Sequence, residues 1–111
     1  MESILTSIKK LLGIEEEYKH FDPDIVMQIN SAFGVLTQLG VGPEEGFFIE
    51  DEGAVWSDYL FGDRRLEFVK TYIYLKVRLG FDPPQSSAAI EAINRQISEL
   101  EWRINLTVEL D

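Results

Sequence analysis

The feature that most constrains the fold is the stretch RLEFVKTYIYLKVRL at residues 65–79. It contains no Gly or Pro, and its apolar residues fall on two adjoining helical faces. Phe68, Tyr72, Leu75 and Leu79 form one face, and Leu66, Val69, Ile73 and Val77 form the other. Both follow three- and four-residue steps. A helix apolar over most of its circumference must be enclosed by other elements. Only Glu67, Lys70, Thr71, Tyr74 and Arg78 give it a polar strip. The plain reading is a core helix around which the rest is built.

The flanking sequence supplies further helices. Residues 2–12 read as a short amphipathic helix with Ile4, Leu5, Ile8, Leu11 and Leu12 on one side, opened by Glu2 and closed by Lys9 and Lys10. Gly13 is its natural C′ residue. After a linker-like segment at 14–21, Asp22 reads as an N-cap and Pro23 as the first helical residue. That helix runs to about Leu39, with Ile25, Ile29, Ala32, Phe33, Leu36 and Leu39 inward. Gly34 marks a close helix approach, and Gly40 ends the helix. Residues 40–55 break the helical rhythm with Gly40, Gly42, Pro43, Gly46 and Gly53. Within them Phe47, Phe48 and Ile49 read either as a brief strand or as a plug on the helices. Residues 56–61 suggest one helical turn with Trp56, Leu60 and Phe61 inward. Gly62 breaks it, and Asp63 caps the core helix. Gly80 is that helix's C′ residue, and Phe81, Asp82, Pro83 and Pro84 force a turn.

The last helix is expected over 86–104, capped by Ser86 or Ser87. Ile90, Ile93, Ile97, Leu100 and Ile104 repeat at 3-4-3-4, a narrow seam. Glu91 to Arg95 and Glu99 to Arg103 are four-residue ion pairs in the favoured order. The period then changes: Ile104, Leu106, Val108 and Leu110 alternate with polar residues, a strand pattern. Such a tail either frays or adds to a sheet in another subunit.

The expected fold is therefore all-α: about four helices around a central buried helix, a long irregular loop between helices 2 and 3, and an extended C-terminal tail. A length of 111 residues fits one domain. No cysteine is present, which excludes disulfides and thiolate chemistry. No signal peptide and no membrane span are evident in the pattern.

The formal charge is −10, and it is unevenly placed. Residues 1–55 carry 11 acids and 3 bases, whereas residues 56–111 carry 9 acids and 7 bases. Such a chain avoids nonspecific phosphate contacts. From Glu44 to Asp63 there are 7 acids and no base, either a solvated loop or a surface that repels nucleic acid.

Signals of catalysis are weak. His20 is the single histidine, so a histidine pair for zinc is impossible. Glu15, Glu16, Glu17, His20, Asp22 and Asp24 cluster in sequence as candidate hard-cation ligands, but a solvated charge run explains them more simply. Phosphate-binding glycine loops and the nucleophile elbow are missing from the sequence. No enzyme activity, cofactor or metal is expected. Arg64, Arg65, Lys70, Lys76 and Arg78, interleaved with Tyr72 and Tyr74, offer a basic strip for nucleic acid. The alternative, favoured by the acidity of the whole, is that these bases neutralise the acidic loop. The remaining features suggest protein contacts: the isoleucine seam, Trp102 beside it, the alternating tail and the amphipathic first helix.

Five stretches taken in order carry a family resemblance. They are ILTSIKKLLGI at 4–14, HFDPDIVMQINSAF at 20–33, LGVGPEEGFFI at 39–49, VKTYIYLKVRLGFDPP at 69–84 and INRQISELEWRIN at 93–105. Together they resemble the small head-tail connector, or head-completion adaptor, proteins of tailed bacteriophages and of prophages in Gram-positive bacteria. None is a catalytic motif. The resemblance implies a helical virion protein with no catalytic site. It further implies copies that form a ring beneath the portal, extend the DNA channel and offer a surface to the next connector or tail component.

By position, the resemblance makes residues 99–111 a docking tail, with Trp102, Ile104, Leu106, Val108 and Leu110 as partner-binding residues. It makes residues 42–55 a ring or channel loop bearing Glu44, Glu45, Phe47, Phe48, Glu50, Asp51 and Glu52. Its acids are expected toward a channel that DNA traverses without specific binding. The implied partners are further copies of the chain, the portal protein and the next connector or tail protein, with no membrane contact. The implied location is the virion neck, after assembly in the host cytoplasm. Two other readings stand beside it: a small phage-encoded regulator acting by protein binding, and a DNA-binding module using the basic strip.

Overall fold

A computed structural model describes residues 2–60 and 65–110, with side chains as far as Val108. The expected Phe61 contact, the Gly62 break and the Asp63 cap lie outside the described residues, as does Arg64. Among the described residues five helices occur, in the order α1 (Ile4–Leu12), α2 (Asp22–Gln38), α3 (Trp56–Tyr59), α4 (Arg65–Phe81) and α5 (Ser87–Leu110). There is no strand among the described residues, only an isolated antiparallel bridge between Ser3 and Val55. The fold is all-α.

Helix α1 starts where Ser3 caps it, its Oγ accepting the Thr6 N–H at 3.2 Å. It ends at Gly13, whose φ of 82° only glycine adopts without strain. The bridge ties this end to the later chain: Ile4 N–H donates to the Ala54 carbonyl at 3.0 Å and Trp56 N–H to that of Glu2 at 3.2 Å. Trp56 is thereby held over α1, with its indole N–H donating to Ser7 Oγ at 2.9 Å.

Helix α4 packs most extensively on α2, then on α5, and also touches α1. It buries Val69, Tyr72, Ile73, Leu75 and Val77, drawn from both apolar faces. From α2 come Ile25, Ile29, Ala32, Phe33 and Leu36. A single cluster of these residues also takes in Ile4, Leu5, Ile8, Val41, Ile49, Trp56, Tyr59, Ile97 and Ile104. Burying a large aliphatic or aromatic side chain contributes about 1.5–3 kcal/mol.

Several expectations are corrected. Asp22 is the first residue of α2, not its N-cap; the cap is Phe21, which makes no side-chain hydrogen bond. The Asp22 carboxylate is occupied instead by Lys9. Gly34 has nothing within 4 Å of where a Cβ would lie, so it marks no close approach. Gly80 is inside α4 rather than at C′. A Cβ there would meet only the amide end of the flexible Gln28 side chain on α2. Glu91 and Arg95 do not pair, although Glu99 and Arg103 do, at 2.8 Å.

The largest correction concerns the tail, which is not extended: α5 continues unbroken to Leu110. The alternation at 104, 106 and 108 contains a four-residue helical step as well as a two-residue one. Ile104 and Val108 therefore fall on one helical face and Leu106 on another. Ile104 is fully buried. Val108 closes on the α2 terminus, its Cγ1 only 3.2 Å from where a Cβ on Gly40 would lie. Thr107 Oγ1 donates to the Arg103 carbonyl at 2.8 Å. Core contacts on this inward face outweigh β-branched propensities unfavourable by under about 1 kcal/mol per residue.

Candidate interaction surfaces

The loop between α2 and α3 is built on a mount. Asn30 of α2 holds the backbone of Ile49 at both ends: Oδ1 accepts its N–H at 2.7 Å and Nδ2 donates to its carbonyl at 3.0 Å. This amide pair replaces the strand partner that the Phe47–Ile49 run lacks, so that run is a plug. Ile49 is buried, and Phe47 stacks edge-on against Phe33 at 5.0 Å and tilts on Tyr59 at 5.1 Å. Tyr59 also donates to the Val41 carbonyl at 3.2 Å. Burial pushes the Tyr59 hydroxyl well above its ordinary range, with Arg65 pulling weakly the other way.

What the mount leaves outside is chemically distinct. Phe48 is 68% exposed. Glu44, Glu45, Glu50, Asp51 and Glu52 surround it in sequence and are exposed. Asp51 accepts the Gly53 N–H at 2.8 Å. Glu52 reaches Lys19 only at 3.9 Å. Glu50, Asp51 and Glu52 rim a shallow hollow of about 360 Å³ whose floor is Leu5, Pro23 and Val26.

The C-terminal candidates separate into two faces. Trp102 is 64% exposed and Leu106 39%, four residues apart on the outer side of α5. Ile104 and Val108 face this chain's own core. The backbone of Leu110 ends α5, and its side chain is outside the described residues. On the inward side Glu101 receives the Tyr72 hydroxyl at 2.7 Å, fixing α5 to α4. Burial first, and then this carboxylate partner, hold the Tyr72 hydroxyl well above its ordinary range. A groove of about 450 Å³ between α4 and α5 is lined by Phe68, Tyr74, Leu75 and Leu100 with Glu99 and Arg103 at its edge.

The basic strip is dispersed. Lys70 turns toward α1, 3.6 Å from Glu2 and 5.7 Å above the Trp56 ring. Arg78 Nε donates to the Asp82 carbonyl at 2.6 Å, at the end of its own helix. Lys76 lines a different hollow, against α2. The acidic run at 15–24 is likewise not gathered: no group of three or more metal-ligating side chains occurs among the described residues.

Sequence reasoning missed one buried charge. Lys9 is 2% exposed. Its Nζ donates to the Glu16 carbonyl at 3.0 Å and the Tyr18 carbonyl at 2.8 Å, and lies 2.9 Å from Asp22 Oδ1. The Asp22 contact is an ion pair without an aligned hydrogen bond. These contacts fold residues 14–21 across the end of α1, and Phe21 then meets Phe81 of α4 at 5.3 Å. The signal was present in the spacing: Leu5, Lys9 and Leu12 follow a four-three step, which puts the lysine on the apolar face.

These surfaces set exposed aromatic and charged side chains on an all-helical fold. Residues 4–111 match the family model described as phage connector protein, and the chain belongs to that family. The family is structural: its members are virion components that contact other phage head and tail proteins. No curated protein and no solved structure matches the chain significantly.

Proposed function

We propose that the protein is the head-tail connector of a phage particle, assembling as a ring under the portal. The ring extends the DNA channel and presents a surface to the next connector or tail protein. What carries this reading is the extent of the family match, from residue 4 to residue 111. The physical features agree with it. A formal charge of −10 discourages DNA from adhering to a conduit it must traverse. Trp102 and Leu106 give α5 an exposed aromatic-aliphatic stripe of the kind that anchors interfaces. In this reading the stripe docks on the portal or the next tail component, and residues 44–52 form a ring or channel segment. Assembly takes place in the host cytoplasm before the particle is complete.

Point variants are the appropriate test, because truncation at residue 104 would remove a fully buried core side chain. The paired substitution Trp102→Ala and Leu106→Ala should leave the helical fold intact. It should abolish co-sedimentation with portal-bearing heads. Undiminished co-sedimentation would exclude α5 as the docking element. Failure of the unmodified protein to join such heads under any assembly condition would exclude the connector reading itself.

A further inference from the structure

Copies of a chain with net charge −10 repel one another, so a ring of them needs a place where opposite charges meet. The flanks of α2 provide one. On one flank, Lys76 joins Gln28, Ser31, Ala32, Leu79 and Gly80 around a hollow of about 280 Å³. Lys76 is half-buried and has no hydrogen-bond or ion-pair partner among the described residues. Ala32 and Leu79 give the hollow apolar lining beside the polar Gln28 and Ser31, and the amide end of Gln28 lies over Gly80. Met27, 60% exposed, lies one residue before Gln28 on α2.

The opposite flank carries the complement. Asn30 mounts the acidic loop there. At about 100° per residue its direction is roughly opposite to the mean of Gln28 and Ala32. The loop offers an exposed phenyl ring, Phe48, with the carboxylates of Glu45 and Glu50 close on either side in sequence, neither of them paired among the described residues. The hollow offers apolar lining from Ala32 and Leu79 and, in Lys76, a cation without a partner among the described residues.

We propose that these two flanks bind each other between adjacent copies. Phe48 of one copy enters the α2–α4 hollow of the next, and Glu45 and Glu50 take up its Lys76. The contact joins two different patches of the same chain, so it is head-to-tail, the type that closes into a ring when the rotation per copy permits. This rests on the ring reading given under Proposed function and deepens it. It assigns residues 44–52 to the contact between subunits rather than to the channel wall.

The chain has no cysteine, so single-cysteine variants can report the contact. Ser31→Cys and Phe48→Cys proteins are mixed, assembled on portal-bearing heads and oxidised. The expected result is a covalent dimer from the mixture and little from either variant alone. Lys76→Glu should weaken self-association by about tenfold or more through like-charge opposition. Reversing the neighbour's charges with Glu45→Lys and Glu50→Lys should restore it. A ring that forms on heads without the mixed cross-link, or that tolerates K76E unchanged, overturns this contact and leaves the ring reading standing. Cross-linking of F48C mainly to itself overturns it too, because that interface would be symmetric. If no multimer forms on portal-bearing heads at all, the contact and the ring reading fall together.

Discussion

Replacing Lys9 by methionine isolates the buried charge that folds the chain between α1 and α2. The substitution keeps the length and apolar stem of the side chain, so the change is confined to the ammonium. Three contacts disappear: two charged hydrogen bonds to the carbonyls of Glu16 and Tyr18, and the ion pair to Asp22 at 2.9 Å. Breaking a buried pair on one side costs about 3–5 kcal/mol, mostly from the partner left uncompensated. Here the lower end applies. Glu16 and Tyr18 are exposed residues whose carbonyls recover water, and the Asp22 side chain is 17% exposed and recovers some. With a loss of about 3 kcal/mol and a urea slope near 1.5 kcal/mol/M, the unfolding midpoint should fall by about 2 M. The assay is equilibrium urea unfolding of the full chain by circular dichroism, with Asp22→Asn and the double variant completing a cycle. The double variant should be more stable than the sum of the two losses implies, with coupling above about 1 kcal/mol. A midpoint within experimental error of the unmodified protein would refute the reasoning, as would two losses that simply add. Lys9 would then be an ordinary surface lysine folded inward.

Gly42→Ala should destabilise by about 2–4 kcal/mol. The φ of 86° is strained for alanine, and the added Cβ would sit 2.5 Å from Cε1 of the buried Tyr59. Gly34→Ala, with nothing within 4 Å, should instead stabilise by up to about 1 kcal/mol; thermal melts of the two variants distinguish them by sign. Ile104→Ala should cost about 2–5 kcal/mol as a core truncation, whereas Leu106→Ala should stay within about 0.5 kcal/mol. Equal losses in urea would contradict the helical tail with its two faces. The pH dependence follows from Tyr59 and Tyr72, whose hydroxyls are held above the ordinary 10.0 in the folded state, chiefly by burial. A raised folded value means that their contribution is fully present below pH 10 and is lost as pH rises toward the folded value. In an absorbance titration at alkaline pH, Tyr59 and Tyr72 should therefore ionise only with unfolding, and the double phenylalanine variant should flatten the alkaline fall in stability.

The helices were readable because their burial follows local spacing. The α4 faces and the Ile97–Ile104 seam supply core residues at the steps their sequence shows. What the sequence obscured depends on partners far along the chain. The alternation from Ile104 to Leu110 satisfies a strand period and a helical period at once. Only the neighbours of Ile104 and Val108 decide between them, and Gly40, one such neighbour, is more than sixty residues away. Asp22 had the composition of a cap, but a lysine on α1 claimed its carboxylate. Phe47, Phe48 and Ile49 looked alike as a run. Their separation into plug, tip and anchor follows from one asparagine on α2, which carries no signal in its own sequence context. The exposed stripe of Trp102 and Leu106 was half visible: the residue types were apparent, while their separation from Ile104 required the helix to continue.

The Asn30 mount has a consequence for how this protein can change. It grips the loop through the main chain of residue 49, so the position of the loop does not depend on the side chains at 44, 45, 48, 50 or 52. Those side chains are free to mutate without moving the backbone that displays them. A phage whose neighbouring protein drifts in charge can retune its connector at the tip alone, while the helices beneath stay as they are.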